Sequence, residues 1–176
     1  FGLLFIILLG IIIYSNSFNC SFHLDDYGSI IENKIIRDLS DIKSVWNYSQ
    51  NRFISYYSFA LNYYYGQLDV WGYHLVNLVI HLFSACLVWW LTVLILISPA
   101  LKDHPVVRYK NEIALFTALL FVSHPLATQS VNYIVQRMAS LTAMFYLISA
   151  ALYLKARLTE KGFVLKTMLF IGSILA

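Results

Sequence analysis

The chain has 176 residues, 60% of them hydrophobic and 16% aromatic, with only 12% charged and a mean hydropathy of +0.68. That balance excludes a water-soluble globular domain, and a net charge of +3 scattered along the chain offers no basic face to a nucleic acid. The charges cluster between long apolar runs, which predicts an all-α, polytopic helical membrane protein.

The first apolar run, Phe1 to Tyr14, has no basic leader and no small-residue cleavage pattern after it. It reads as a transmembrane helix over about 2–15, short of the ~20 residues a bilayer requires, so the chain is expected to be a piece of a longer one. A polar excursion, 16–71, follows. Span two, 72–97, can cross with some tilt and closes at Pro99 before Lys102, Arg108 and Lys110. Span three covers about 108–123 and ends at His124-Pro125. Span four, 138–154, exits into Lys155, Arg157, Lys161 and Lys166, and span five occupies 162–176. All five are read as the N-terminal part of one transmembrane domain. Cys20 follows the first run and Cys86 lies within the second, so no simple topology pairs them.

Within the excursion, Ile31, Ile35, Leu39, Ile42 and Trp46 recur at helical spacing while Lys34, Asp38 and Asp41 take other faces. This predicts an amphipathic helix lying in the membrane interface. Phe53, Tyr57, Leu61 and Tyr64 predict a second, aromatic helix stopping at Gly66, with Tyr63-Tyr64-Tyr65 as headgroup anchors. The fold expected is therefore a helical bundle with a long outer loop bearing interfacial amphipathic helices.

The short segments after spans two and four hold seven basic residues, whereas 16–71 holds four basic against six acidic. The positive-inside bias places the former in the cytoplasm. The excursion and the turn from His124 to Gln136 then lie on the extracytoplasmic side, with a bacterial inner membrane as the expected setting. At ~1.5 Å per residue span three falls short of a comfortable crossing, so His124-Pro125 is expected below the membrane surface. Irregular backbone at that depth must line a cavity. A recessed pocket edged by Thr128, Gln129, Ser130, Asn132, Gln136 and Arg137 is the consequence.

Several residues there could carry chemistry. Asp25-Asp26 lies on the same side as the pocket, and one carboxylate could act as a general base while the other positions an acceptor or ion; a solvated acidic turn is the other reading. His74, Asn77 and His81 share a face of span two at i, i+3 and i+7, either hydrogen-bonding neighbouring helices or lining the pocket. Zinc is the weaker reading, since the two histidines are two turns apart with no Cys or carboxylate at ligand spacing. Arg137 enters an apolar helix with no acidic residue within four positions. A lipid or ligand phosphate would suit its planar fork of donors, and snorkelling to headgroups is the alternative. Arg52 has the same two readings.

The order of these elements carries a resemblance. Leu24-Asp25-Asp26-Tyr27, Ile30 to Asn33, Asn51-Arg52-Phe53 with Ser58 to Tyr63, Gly72-Tyr73-His74-Leu75-Val76-Asn77 with His81, and His124-Pro125 with Val131, Tyr133-Ile134 and Arg137 are its parts. Together they resemble the polytopic GT-C glycosyltransferases, most of all the protein O-mannosyltransferase-like membrane proteins that carry tetratricopeptide repeats after the membrane domain. The resemblance implies a polyprenyl-phosphate sugar donor, a protein or glycan acceptor and membrane lipid as partners, with no resident metal ligands and room for an assisting divalent cation. It implies Asp25 as base for the acceptor hydroxyl, Asp26 positioning it, and Arg137 steadying the donor phosphate as the anomeric bond breaks. His74, Asn77, His81 and His124 would line the pocket, with Gln129 and Arg52 as further contacts. Phe53 stands where relatives tend to have Pro, and Gln129 where an acidic residue is frequent. A non-catalytic membrane subunit that docks a larger complex on the same scaffold is therefore the alternative. A small-solute transporter is disfavoured by the lone basic residue and the absence of paired inverted repeats.

Overall fold

The computed structural model describes residues 2–160 and 162–176. Phe1, which begins the first apolar run, and Lys161, in the basic segment after span four, lie outside the described residues. Among the described residues the chain is helical with no strand, in the order α1 Gly2–Ile13, α2 Ile42–Tyr48, α3 Phe53–Gly66, α4 Val70–Leu96, α5 Lys110–Ser123, α6 Thr128–Asn132, α7 Arg137–Leu158 and α8 Phe163–Leu175, joined by short tight turns of helix.

The helix lengths follow from composition. The 27 residues of α4 contain no charge and extend ~40 Å at ~1.5 Å each, enough to cross a bilayer. Asp69 starts this helix by accepting the Trp71 amide at 3.2 Å. A second helix of crossing length runs over Ile134–Leu158. The segments Pro105–Ser123 and Pro125–Asn132 qualify only together, and they bend by 53° at His124. The bend has a local cause. His124 is extended (ψ 130), Pro125 supplies no amide to continue α5, and the imidazole Nδ1 of His124 accepts the Leu126 amide at 3.3 Å to start the next turn. This is a membrane protein: among the described residues two helices are long and apolar enough to cross, three if the bent pair is one span, beside the shorter apolar helices α1 and α8.

Two apolar cores hold the chain together. In the first, Ile6 and Tyr14 from the N-terminal segment meet Leu78, Leu82 and Ala85 of α4 and Ala118 and Val122 of α5. Gly10 permits that approach, because a β-carbon there would run into Leu82 and Val122. The second core, Ile30, Ile36, Val45, Tyr56, Phe59, Ala60, Tyr73 and Ile134, folds the excursion onto the starts of α4 and α7.

That second core corrects one expectation. Residues 31–46 do not form one amphipathic helix. They make a tight helical turn over Lys34–Arg37 and the separate α2, and the buried apolar residues are Ile36 and Val45, while Ile42 and Trp46 are about half exposed. Short polar side chains cut the helix. Asn33 accepts the Ile35 amide at 3.0 Å, Asp38 accepts the Ser40 amide at 2.9 Å, and Asp41 accepts the Ser44 amide at 3.0 Å. The aromatic helix does form and ends at Gly66, but it buries Ser55, Tyr56, Phe59 and Ala60, and leaves Tyr64 and Tyr65 outward.

Candidate functional site

The neighbouring aspartates have separate surroundings. Asp26 is fully buried, and its two carboxylate oxygens accept the backbone amides of Val135 at 2.7 Å and His23 at 3.1 Å. It therefore ties the excursion to the turn that starts α7. Burial raises its carboxyl pKa above the ordinary value, against the two amides and the nearby His23, which pull it down. Asp25 is exposed, and its backbone amide is fixed by a 3.1 Å hydrogen bond to the Tyr133 hydroxyl. Asp25 lines a cavity of about 550 Å³ together with Asn51, Arg52, Ser55 and Gln136.

Arg137 is placed otherwise than the sequence suggests. Its side chain is fully buried. Nε donates to Asn77 Oδ1 at 2.7 Å, Nη1 to Asn62 Oδ1 at 2.7 Å and to Ser58 Oγ at 3.1 Å, and Nη2 to the Tyr73 carbonyl at 2.9 Å. The guanidinium also lies over the Phe59 ring at 4.6 Å. Four of its five N–H groups are thereby engaged by the protein, and it lines none of the cavities described here. This corrects the expectation that Arg137 and Asp25 share a crevice: the cation is solvated by oxygens of α3 and α4 rather than presented to a phosphate. The arginine that does share a cavity with Asp25 is Arg52, which is exposed and whose nearest polar contact is the Met138 sulfur at 3.8 Å.

The polar face of α4 is mostly structural as well. His74 is fully buried, its ring nitrogens 3.0 Å from the Val131 carbonyl and 2.8 Å from that of Cys20. Asn77 donates to the Ile134 carbonyl at 3.2 Å while accepting from Arg137. Neither lines the cavities described here, and both hydrogen-bond between segments, one of the two roles that the sequence left open. His81 differs: it approaches the Val122 carbonyl at 3.4 Å, stacks on Phe121, and borders an apolar groove of about 620 Å³. That groove runs along Val88, Leu120, Phe121 and Ala143, and its polar end carries His124, Gln129 and Gln136.

A third cavity, about 300 Å³, is lined by His23, Thr128, Gln129, Asn132, Tyr133 and Gln136. Gln136 thus borders the groove, this cavity and the Asp25–Arg52 cavity, and Gln129 borders the first two. The sequence placed Gln136 and Asn132 in a recessed polar series but gave no role to Tyr133 or His23. Their pairing, rings stacked at 4.9 Å, joins residues more than a hundred positions apart and leaves no local signal.

No family model matches the chain, and no solved structure matches it. Among curated proteins it is similar to the protein O-mannosyl-transferase Tmtc3 of Drosophila melanogaster, with 29% identity over 83% of this chain and 18% of that protein. The protein O-mannosyl-transferase tmtc2 of Xenopus laevis is 30% identical over 84% of this chain and 18% of its own length. F38B6.6 of Caenorhabditis elegans, a protein O-mannosyl-transferase by name, is 29% identical over 96% of this chain and 25% of its own. The resemblance to O-mannosyltransferase-like membrane proteins therefore holds, and the chain spans about a fifth of the length of the curated relatives it matches.

Proposed function

We propose that this chain forms part of the catalytic region of a GT-C type membrane glycosyltransferase, which moves a sugar, mannose by analogy with its relatives, from a polyprenyl-phosphate donor to an acceptor hydroxyl at the extracytoplasmic face. The observation that carries this reading is the placement of Asp25 and Arg52 around one cavity that meets an apolar groove at Gln136. The groove suits a polyprenyl tail, which needs apolar walls and no hydrogen bonds.

The chemistry follows from that placement. The Asp25 carboxylate takes the proton of the acceptor hydroxyl as the hydroxyl oxygen bonds to the anomeric carbon, and the electron pair of the breaking carbon–oxygen bond passes to the donor phosphate. Charge grows on that phosphate, where the exposed guanidinium of Arg52 stabilises it in a setting partly shielded from water. Asp26 and Tyr133 act on Asp25 through the backbone, fixing its turn from both sides. In this assignment Arg137 holds the site in shape, and the phosphate role falls to Arg52. The scaffold alternative, raised by Phe53 and Gln129, gains from the separation of Arg137 from Asp25; a second arginine in the Asp25 cavity weighs against it.

The test replaces Asp25 by Asn and Arg52 by Ala in the intact protein and follows transfer from a polyprenyl-phosphate hexose. Both are exposed, so thermal stability should stay within ~0.5 kcal/mol of wild type. Transfer should fall by roughly 10²–10⁴-fold for the lost base and by ~10²-fold for the lost arginine. Unchanged transfer in both variants would remove the enzyme reading and leave the docking scaffold.

A further inference from the structure

The 300 Å³ cavity between the Asp25 turn and α6 has a chemistry unlike its neighbours. No Asp, Glu, Lys or Arg lines it; its polar groups are the amides of Gln129, Asn132 and Gln136, the hydroxyls of Thr128 and Tyr133, and the His23 ring. Such a lining offers nothing to neutralise a phosphate, but it offers many neutral donors and acceptors at short range. Two further observations point to a ligand. The Asn132 Oδ1 atom is buried with no hydrogen-bond partner among the described residues, an arrangement that costs free energy unless a donor arrives. The side-chain amide of Gln136 makes no hydrogen bond among the described residues either, although Gln136 borders all three cavities. Finally, the stacked His23 and Tyr133 rings give this cavity a flat apolar wall beside its amides.

A polyol ring has the matching surface: hydroxyl donors around its edge and apolar C–H groups on its faces. We infer that this cavity receives the uncharged hexose ring of the donor, and that Asn132 and Gln136 determine which hexose is accepted. The inference rests on the glycosyltransferase reading and deepens it. A lipid-linked sugar has three parts around its reacting bond: a tail, a phosphate and a ring. The protein presents an apolar groove, a cavity with Arg52 and an uncharged amide-lined cavity, which meet at Gln136. Placing each part in the cavity of matching chemistry sets the anomeric carbon beside Gln136, within the same enclosure that Asp25 lines. A turn of the Asn132 side-chain amide brings Oδ1 out of its closed position to accept a ring hydroxyl, and Gln136 reads the hydroxyl next to the reacting carbon. A site whose buried amides must be satisfied by hydroxyls discriminates against an epimer that leaves one of them unpaired.

The experiment uses the intact protein in lipid nanodiscs with polyprenyl-phosphate mannose, its glucose epimer, and sugar-free polyprenyl phosphate as probes. Asn132→Leu and Gln136→Leu should raise KM for the preferred sugar ~10-fold and reduce the ratio of kcat/KM between the two epimers by a similar factor. For Asn132→Leu the affinity for sugar-free polyprenyl phosphate, read by intrinsic tryptophan fluorescence, should stay within about twofold, because Asn132 lines neither the groove nor the Arg52 cavity, whereas Gln136 borders both. Asn132→Thr and Gln136→Thr stay uncharged and polar while removing the amide's paired donor and acceptor, so they deliver the same readout if the leucine variants fail to fold. Variants that keep the wild-type epimer ratio and KM overturn the inference while the enzyme reading stands. A wild-type protein that binds neither lipid and transfers neither sugar overturns the reading beneath it, and the inference with it.

Discussion

The seam around Arg137 and the cavity around Arg52 bring the same guanidinium into opposite circumstances. In the seam, Asn77, Asn62, Ser58 and the Tyr73 carbonyl close on the cation from α3 and α4, and Phe59 covers its face. In the cavity, Arg52 is exposed and lines the same walls as Asp25 and Gln136. The aspartates divide the same way, Asp26 tied to two backbone amides and Asp25 left with its carboxylate outward. A charged group whose hydrogen-bonding capacity is spent inside the protein has little left for a substrate, so spare capacity in an enclosed place is the better sign of chemistry.

Truncation at 137 breaks this comparison most severely. Arg137→Met removes the cation and leaves Asn62 Oδ1 and Asn77 Oδ1 without their charged donor, whereas the Tyr73 carbonyl keeps its helical amide, and losing these charge-assisted bonds costs about 3–5 kcal/mol in all. Arg137→Lys restores the charge but not the planar fork that reaches three directions, and should recover less than half of that loss. Equilibrium unfolding in detergent measures both. Arg52→Met should shift the same measurement by no more than ~0.5 kcal/mol, and equal losses at the two positions would erase the distinction between seam and cavity.

Much of the bundle was legible from the sequence because its signals are local. The uncharged run of α4, the break at His124-Pro125 and the stop of α3 at Gly66 each follow from residues adjacent in the chain. The polar series from Thr128 to Gln136 was legible as a cavity wall, since Thr128, Gln129, Asn132 and Gln136 follow one another closely after the break at Pro125 and line one cavity. The partners of Arg137 were not. They come from α3 and α4, 60 to 79 residues away, and a solitary arginine in an apolar helix gives no sign of whether oxygens elsewhere in the chain will surround it. The register of the excursion was missed for a related reason. Apolar spacing predicted one continuous helix, yet Asn33, Asp38 and Asp41 bond to nearby amides and set two short pieces instead, an outcome that competes with the helix at each of these positions.

A gentler probe titrates the tie at Asp26. Burial raises its folded pKa above the unfolded value of about 3.9, so the folded protein holds this proton to higher pH than the unfolded chain does. The resulting contribution to stability is complete below the unfolded pKa and is lost as pH rises through the folded one. Asp26→Asn removes that dependence. Unfolding measured from pH 3 upward should therefore show wild type losing stability, relative to its own Asn variant, in the interval just above the ordinary carboxylate pKa. The reverse slope would mean that the amides of His23 and Val135 outweigh burial, and Asp26 would then behave as an ion held by the seam rather than as a reluctant one.

The smallest effects come from two strained residues, one in each region. Leu24 (φ 50) precedes Asp25 at the cavity, and Gln67 (φ 50, ψ −117) follows α3, where its carbonyl accepts the Tyr73 hydroxyl at 2.9 Å on the seam side. Both occupy backbone regions that a side chain disfavours by ~1 kcal/mol or more and glycine does not, an advantage partly offset by glycine's greater freedom in the unfolded chain. Gln67→Gly should stabilise the protein by about 0.5–1 kcal/mol with transfer unchanged, because the strain there serves only the chain path. Leu24→Gly should give a similar stabilisation yet lower transfer several-fold, since the turn that holds Asp25 between Tyr133 and Asp26 would gain freedom at the point where its carboxylate is aimed. Should both substitutions raise stability and leave transfer alone, the conformation at Leu24 would be incidental to catalysis, and the positioning of Asp25 would rest on the Tyr133 and Asp26 hydrogen bonds alone.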